Sequence, residues 1–196
     1  MAATMGVFPL VRREVIAMGA LFGLPAHPLL AHVAVVAIPV AAVLAVVVAV
    51  FQRVPGLVKL TTLGVGVVAV VVVPLMESSG EALQERVPET AAVERHADLG
   101  ETLLPWVIGL FVVIVAVLAI DRWPRAPRSS GPGTPRQRDF GLSHRGLRTV
   151  QIAGAVAVVV VAAGTLVQTI RIGHSGAQAT WSTSAPVQNP GEPEDR

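Results

Sequence analysis

The sequence predicts an all-α protein: a bundle of four transmembrane helices, with both termini extracytoplasmic and a disordered arginine-rich loop in the cytoplasm. Of its 196 residues, 53% are hydrophobic and 14% are charged, whereas soluble domains carry about 25% charged residues. Four apolar stretches approach the roughly 20 residues that a helix needs to cross a bilayer. They lie at about residues 28–51, 59–76, 103–120 and 150–170. The chain is therefore expected to fold in lipid.

Helices are favoured over strands in these stretches, although valine-rich runs also occur in buried strands. The runs are too long for single strands, and no turn residues interrupt them at strand spacing. A helix satisfies its backbone hydrogen bonds within one segment, which the hydrocarbon requires.

The remaining segments are predicted to be interfacial or flexible. Residues 1–24 form an N-terminal interfacial segment, because glycines and a proline break their short apolar stretch; this favours a surface helix over a cleaved signal peptide. Residues 25–177 form the four-span membrane domain. Within that domain, residues 121–148 form a flexible basic loop rich in proline, glycine and serine. Residues 178–196 form a disordered tail.

The distribution of charge predicts the orientation of the chain in the cell membrane. The loop between spans one and two and the loop between spans three and four together carry nine basic and two acidic residues. The rest of the chain carries six basic and eleven acidic residues. Because basic loops stay in the cytoplasm, both termini are expected outside it.

Four of the five histidines fall at the predicted outer membrane face. His27 precedes the proline that opens the first span, and His32 lies inside that span. His96 lies in a predicted helix that leads into the third span, and His174 follows the fourth span. The fifth, His144, lies in the flexible loop, where a solvated side chain is expected. Burying an imidazole in hydrocarbon is costly without a partner, so the four outer histidines are the candidate site residues.

Three alternatives for this cluster stay open. Imidazoles from two helices are suited to hold the iron of haem b, with His32, His96, His27 and His174 as candidate ligands. A divalent transition metal is the second alternative, with His32, His96, His174 and Glu81 as ligands, because neutral imidazole and carboxylate bind such ions. The third alternative is a structural or interaction membrane protein without a cofactor.

The third alternative includes association with a second copy through a ladder of small residues, Ala37, Ala41, Ala45 and Ala49, which suits close helix contact. The predicted partners are the lipid bilayer and either a homo-oligomer or a redox partner. No nucleic-acid partner is expected, because the basic loop has one interior aromatic residue and no fold to present it. A conventional enzyme is not expected, because the chain lacks cysteine, a His-Glu-x-x-His motif and a nucleophile elbow.

Three stretches together resemble a known family. They are GLPAHPLLAHVAVVAIPVAAV, PLMESSGEALQERVPETAAVERHADLGETLLPW and QTIRIGHSGAQATW, in this order. With the spans between them, they are similar to the actinobacterial branch of the prokaryotic membrane family known as domain of unknown function 2231, over about residues 23–181. The resemblance implies a four-span membrane protein and no established reaction. It marks His27, His32, His96 and His174 as the positions to test.

Overall fold

The computed structural model describes residues 20–21, 24–51, 53–122 and 144–181. The bulk of the predicted interfacial segment, most of the basic loop and the tail beyond Trp181 lie outside the described residues. A two-residue antiparallel pair, β1 (Ala20–Leu21) and β2 (Leu24–Pro25), precedes the helices.

Five helices make up the rest of the described chain. They are α1 (Ala26–Val50), α2 (Gly56–Gln84), α3 (Ala91–Glu101), α4 (Leu103–Arg122) and α5 (His144–Trp181). Four helical stretches are long and apolar enough to cross a membrane: Ala26–Val50, Gly56–Gln84, Ala91–Arg122 and Arg148–Trp181. The predicted all-helical fold with four spans is confirmed.

Two helices extend well beyond the spans that hydropathy predicts. The helix α2 continues for eight residues past Met76, through Gln84, and α5 continues past Ile170 through Trp181. The 29 residues of α2 make it about 44 Å long at 1.5 Å per residue, which exceeds a hydrocarbon core of about 30 Å. Polar residues end a hydropathy signal without ending a helix.

The third span is entered through the short helix α3, as the sequence predicts. The Thr90 side chain caps α3 by accepting a hydrogen bond from the backbone N–H of Val93. Thr102 separates α3 from α4, and its hydroxyl donates to the carbonyl of Leu99. The Gln168 amide of α5 donates to the Thr102 hydroxyl and so ties this junction to the last span.

Small residues of α1 form the centre of the bundle. Ala37, Ala41 and Ala45 are 7%, 0% and 3% exposed within this single chain. Ala41 and Ala45 pack in one apolar cluster with side chains of α4 and α5, including Leu110, Ile114, Leu118, Val158 and Ala162. The prediction that this ladder binds a second copy is therefore wrong, because its small side chains are already used to bring the helices of one chain together.

The outward face of the bundle is apolar. Large hydrophobic side chains on every long helix are more than half exposed, among them Val36, Val43, Val160 and Ile170. A soluble monomer rarely exposes a continuous apolar surface of this kind. This surface is compatible with lipid contact and with a multi-pass membrane protein.

An ion pair joins two helices at the end of the bundle opposite the start of α1. The Lys59 ammonium of α2 contacts the Asp121 carboxylate of α4. Both side chains are largely shielded, at 22% and 30% exposed. The pair therefore fixes the ends of α2 and α4 against each other.

We predict that Gly164→Ala destabilises the bundle. A Cβ at position 164 of α5 would overlap the Trp106 ring of α4, so the ring and the helix would have to move apart. Such overpacking costs about 1–3 kcal/mol, and it should lower the unfolding temperature measured in detergent.

The matched control is Gly173→Ala, on the same helix, where a Cβ meets nothing within 4 Å. This variant should unfold at or slightly above the temperature of the unmodified protein, because alanine favours helix more than glycine does. Equal unfolding temperatures for the two variants would contradict the close contact between α4 and α5.

Candidate functional site

Two of the predicted histidines meet at one end of the bundle. His27 lies at the start of α1 and His96 lies in α3. Their ring centroids are 6.3 Å apart, and the ring planes are nearly perpendicular, at 84°. Both side chains are half-buried. We call this end of the molecule, formed by the start of α1, the end of α2, α3 and the end of α5, the histidine end.

The His27 ring is held by α2. Its Nδ1 lies 3.0 Å from the carbonyl oxygen of Met76. A carbonyl oxygen only accepts, so Nδ1 of His27 carries the proton and donates. The ring lies against Gly80, where a Cβ would come within 3.0 Å of Nδ1. Glycine at this position therefore leaves the space in which the ring reaches the Met76 carbonyl.

The His96 ring is held by α5 in a similar way. Its Nδ1 lies 3.0 Å from the hydroxyl oxygen of Ser175. That hydroxyl donates its own proton to the carbonyl of Ile172, at 2.9 Å, so it accepts from Nδ1 of His96. The ring lies against Gly176, where a Cβ would come within 3.0 Å of Cε1.

These contacts determine which nitrogen of each ring is free. In a neutral imidazole only one nitrogen is protonated, and in His27 and His96 the hydrogen bonds assign that proton to Nδ1. The lone pair therefore lies on Nε2 in both rings. Metal-binding histidines are arranged in this way, with one ring nitrogen bonded to a neighbouring oxygen and the other available to the metal.

The other two predicted histidines lie apart from this pair. His32 is exposed, and its Nδ1 donates to the carbonyl of Pro28 in its own helix, at 2.6 Å. His174 is exposed, and its Nε2 accepts from the amide of Gln178, at 3.2 Å. The physical reason is helix phase: residues five apart are turned by about 140° and adjacent residues by about 100°. His32 thus diverges from His27, and His174 diverges from the buried Ser175.

The predicted four-ligand metal site is not assembled. Glu81 is exposed, like His32 and His174. Among the residues that the structure describes, no three His, Asp or Glu side chains form a group that could hold a metal ion. His96 is the one member of that set that belongs to the His27–His96 pair.

Acidic side chains surround the histidine end. One carboxylate oxygen of Glu77, Oε1, is buried and has no hydrogen-bond partner within the described part of the chain. Glu101 and Glu81 lie close enough to interact electrostatically with it.

The residues that hold the two rings were not predicted from the sequence. Gly80, Gly176 and the Met76 carbonyl have no reactive group of their own, and Ser175 lies 79 residues along the chain from His96, which it contacts. A signal was present nonetheless: α2 and α5 each carry a Ser-Gly pair within their last two turns, at Ser79-Gly80 and Ser175-Gly176.

Comparisons with protein-family models, with curated proteins and with solved structures found no match to this chain. Membership of the family with the three similar stretches stays a prediction. The geometry of the His27–His96 pair is therefore the basis for any functional conclusion.

We predict that Gly80→Ala displaces the His27 ring and leaves His96 in place. The added methyl group would lie 3.0 Å from Nδ1 of His27, so the ring must shift away from the Met76 carbonyl. In the ¹⁵N spectrum of histidine-labelled protein, the Nδ1 signal of His27 should move while that of His96 stays.

The control is Gly100→Ala in α3, where a Cβ meets nothing within 4 Å. It should leave both Nδ1 signals unchanged. An unchanged His27 signal in the Gly80→Ala variant would show that the ring does not lie against Gly80.

Proposed function

We propose that this chain is a membrane haem protein that binds haem b between His27 and His96 and carries single electrons at the extracytoplasmic face of the cell membrane. One observation carries the proposal: two imidazoles from different helices, each with Nδ1 bonded to the protein, lie 6.3 Å apart. The resemblance to the four-span family agrees with the fold and is neutral on the chemistry.

The separation of the rings suits two ligands on opposite sides of one iron. Metal–imidazole bonds of about 2 Å on each side place two ring centroids roughly 6 Å apart. The Nδ1 hydrogen bonds leave Nε2 of both rings as the ligating atom. The same bonds orient each ring and raise its basicity as a ligand.

The number of protein ligands favours haem over a bare metal ion. Structural and catalytic zinc sites use three or four protein ligands, and no group of three exists among the described residues. A porphyrin supplies four nitrogens to its iron, so two imidazoles complete the coordination. The described residues therefore support haem better than the divalent-metal alternative.

Two histidine ligands also favour electron transfer over reaction chemistry. His27 and His96 would together leave a bound haem iron no open position for oxygen or substrate, so the group would supply one-electron transfer there. A redox partner would approach from the extracytoplasmic side, which the charge distribution of the loops supports.

The cofactor-free alternative has its own support. The hydrogen bonds of His27 and His96 join α1 to α2 and α3 to α5, which are useful contacts in a protein with no ligand. This reading predicts a colourless protein whose histidine variants are less stable and otherwise unchanged.

We predict that His27→Ala and His96→Ala each abolish haem binding, because each removes one axial ligand. The measurement is the Soret absorbance, and its shift on reduction, of protein purified from haem-replete cells. His32→Ala and His174→Ala are the matched controls, because both side chains are exposed and bond within their own helices; they should retain the spectrum. A colourless unmodified protein that gains no Soret band on haem titration would refute the proposal.

We also predict the form of the electron paramagnetic resonance spectrum. Nearly perpendicular axial imidazole planes, at 84° here, leave the iron orbitals close in energy and give a strongly anisotropic low-spin ferric signal. Parallel planes give a rhombic signal. A rhombic spectrum from the unmodified protein would show that the ring orientation seen here is not that of the ligands.

A further inference from the structure

We infer that the described spans form two copies of one histidine-bearing unit, and that a repeated Ser-Gly motif positions the histidine of each copy. The first unit comprises α1 and α2, residues 26–50 and 56–84. The second comprises α3 and α4, which together correspond to α1, and α5, which corresponds to α2; these are residues 91–101, 103–122 and 144–181. The repeat stands without haem. Only the role of the motif as a ligand-positioning device rests on the proposed function.

The same sequence pattern follows the histidine near the start of α1 and in α3. His27 is followed three residues later by Leu30 and then by a small residue, and His96 is followed three residues later by Leu99 and then by a small residue. Leu30 and Leu99 are both partly buried against the same apolar cluster, which includes Ile38. The same residue types therefore occupy matching places in the fold.

The second helices end with the same pattern and make the same contacts. Ser79 donates to the carbonyl three residues before it, Met76, at 2.8 Å, and Ser175 donates to the carbonyl of Ile172 at 2.9 Å. The glycine after each serine faces the histidine of its own unit, and a Cβ on either glycine would meet that ring at 3.0 Å.

The hydrogen bond of each histidine goes to this motif as well. His27 donates from Nδ1 to the Met76 carbonyl, and His96 donates from Nδ1 to the Ser175 hydroxyl, both at 3.0 Å. The Ser175 hydroxyl in turn donates to the Ile172 carbonyl. One histidine thus reaches the carbonyl directly, and the other engages the serine bonded to that carbonyl.

The buried stripes of the first helices keep the same register relative to the histidine. The residues that lie 7, 11, 14 and 18 positions after each histidine are all buried. The corresponding residues of the first and second units are Ala34 and Leu103, Ile38 and Val107, Ala41 and Leu110, and Ala45 and Ile114. Any bundled helix buries a stripe with such spacing. The specific point is that the histidine holds the same phase to the stripe in both units.

The second helices keep their register relative to the serine. The residues that lie 17, 13, 10 and 3 positions before Ser79 and Ser175 are all buried. The corresponding residues of the first and second units are Thr62 and Val158, Gly66 and Ala162, Ala69 and Thr165, and Met76 and Ile172. With both helices of each unit in register, the match extends over the length of the spans.

The arrangement of the units is parallel. The first helix of each unit starts at the histidine end and the second helix returns to it, so the units are related by an axis along the membrane normal. His27 and His96 lie on either side of that axis, 6.3 Å apart. Each unit therefore contributes one equivalent ring, an arrangement suited to a planar ligand with two matching faces.

The test exchanges the motifs within the full-length chain. M76I/E77G/S78H gives α2 the sequence that ends α5, and I172M/G173E/H174S gives α5 the sequence that ends α2. If the motifs are equivalent, both variants keep the Nδ1-protonated rings of His27 and His96, measured by ¹⁵N spectra of histidine-labelled protein without haem. Reversing the order of the pair, as S175G/G176S, is the control and should displace His96 alone.

A folded exchange variant in which either ring loses its Nδ1 proton would overturn the inference. If an exchange does not fold, an experimental structure of the unmodified chain decides. The inference fails unless α1 superposes on α3 and α4, and α2 superposes on α5, by a single rotation near 180°. Both readouts are independent of haem. A chain that passes them and stays colourless refutes the proposed function and leaves the repeat intact.

Discussion

The structure depends on one constraint: a polar group placed in hydrocarbon must find its hydrogen-bond partner inside the protein. Thr62 and Thr165 meet it by donating to carbonyls one turn back in their own helices. Gln168 meets it across helices, at the junction of α3 and α4. His27 and His96 meet it with Nδ1 only. Because the partners use Nδ1 of each ring, the same contacts that make burial tolerable leave the lone pair on Nε2, as the proposed ligand role requires.

Small residues make those contacts geometrically possible. Gly164 admits the Trp106 ring between α4 and α5, and Gly80 and Gly176 admit the imidazoles at the histidine end. Each glycine costs about 1 kcal/mol of helix propensity relative to alanine. That cost is tolerated where close approach brings a ring to its partner, and lipid supplies no hydrophobic force to replace such packing.

The sequence was sufficient for the spans because hydropathy depends on composition, and the four apolar stretches agree with the helices in their apolar parts. It failed at the end of α2, where Ser78 and Ser79 bond to carbonyls of their own helix and let it continue. For the histidine pair, the sequence predicted the common location and did not predict which histidines meet. Four histidines were expected at one face, but which of them converge depends on helix phase and on contacts from distant segments. The exposure of His32 and His174 could not be read from spacing alone, because the kinks and pairing of the helices were unknown.

Three of the corresponding positions in the first helices of the two units differ in side-chain size in the same direction. Where the first unit has Ala34, Ala41 and Ala45, the second has leucine or isoleucine, and all six side chains are buried. Two first units placed together would leave voids, and two second units would collide. The large residues of one unit thus correspond to small residues of the other, which favours packing between the two different units over packing between two copies of one unit. Each unit would therefore pack more closely against the other unit than against a second copy of itself.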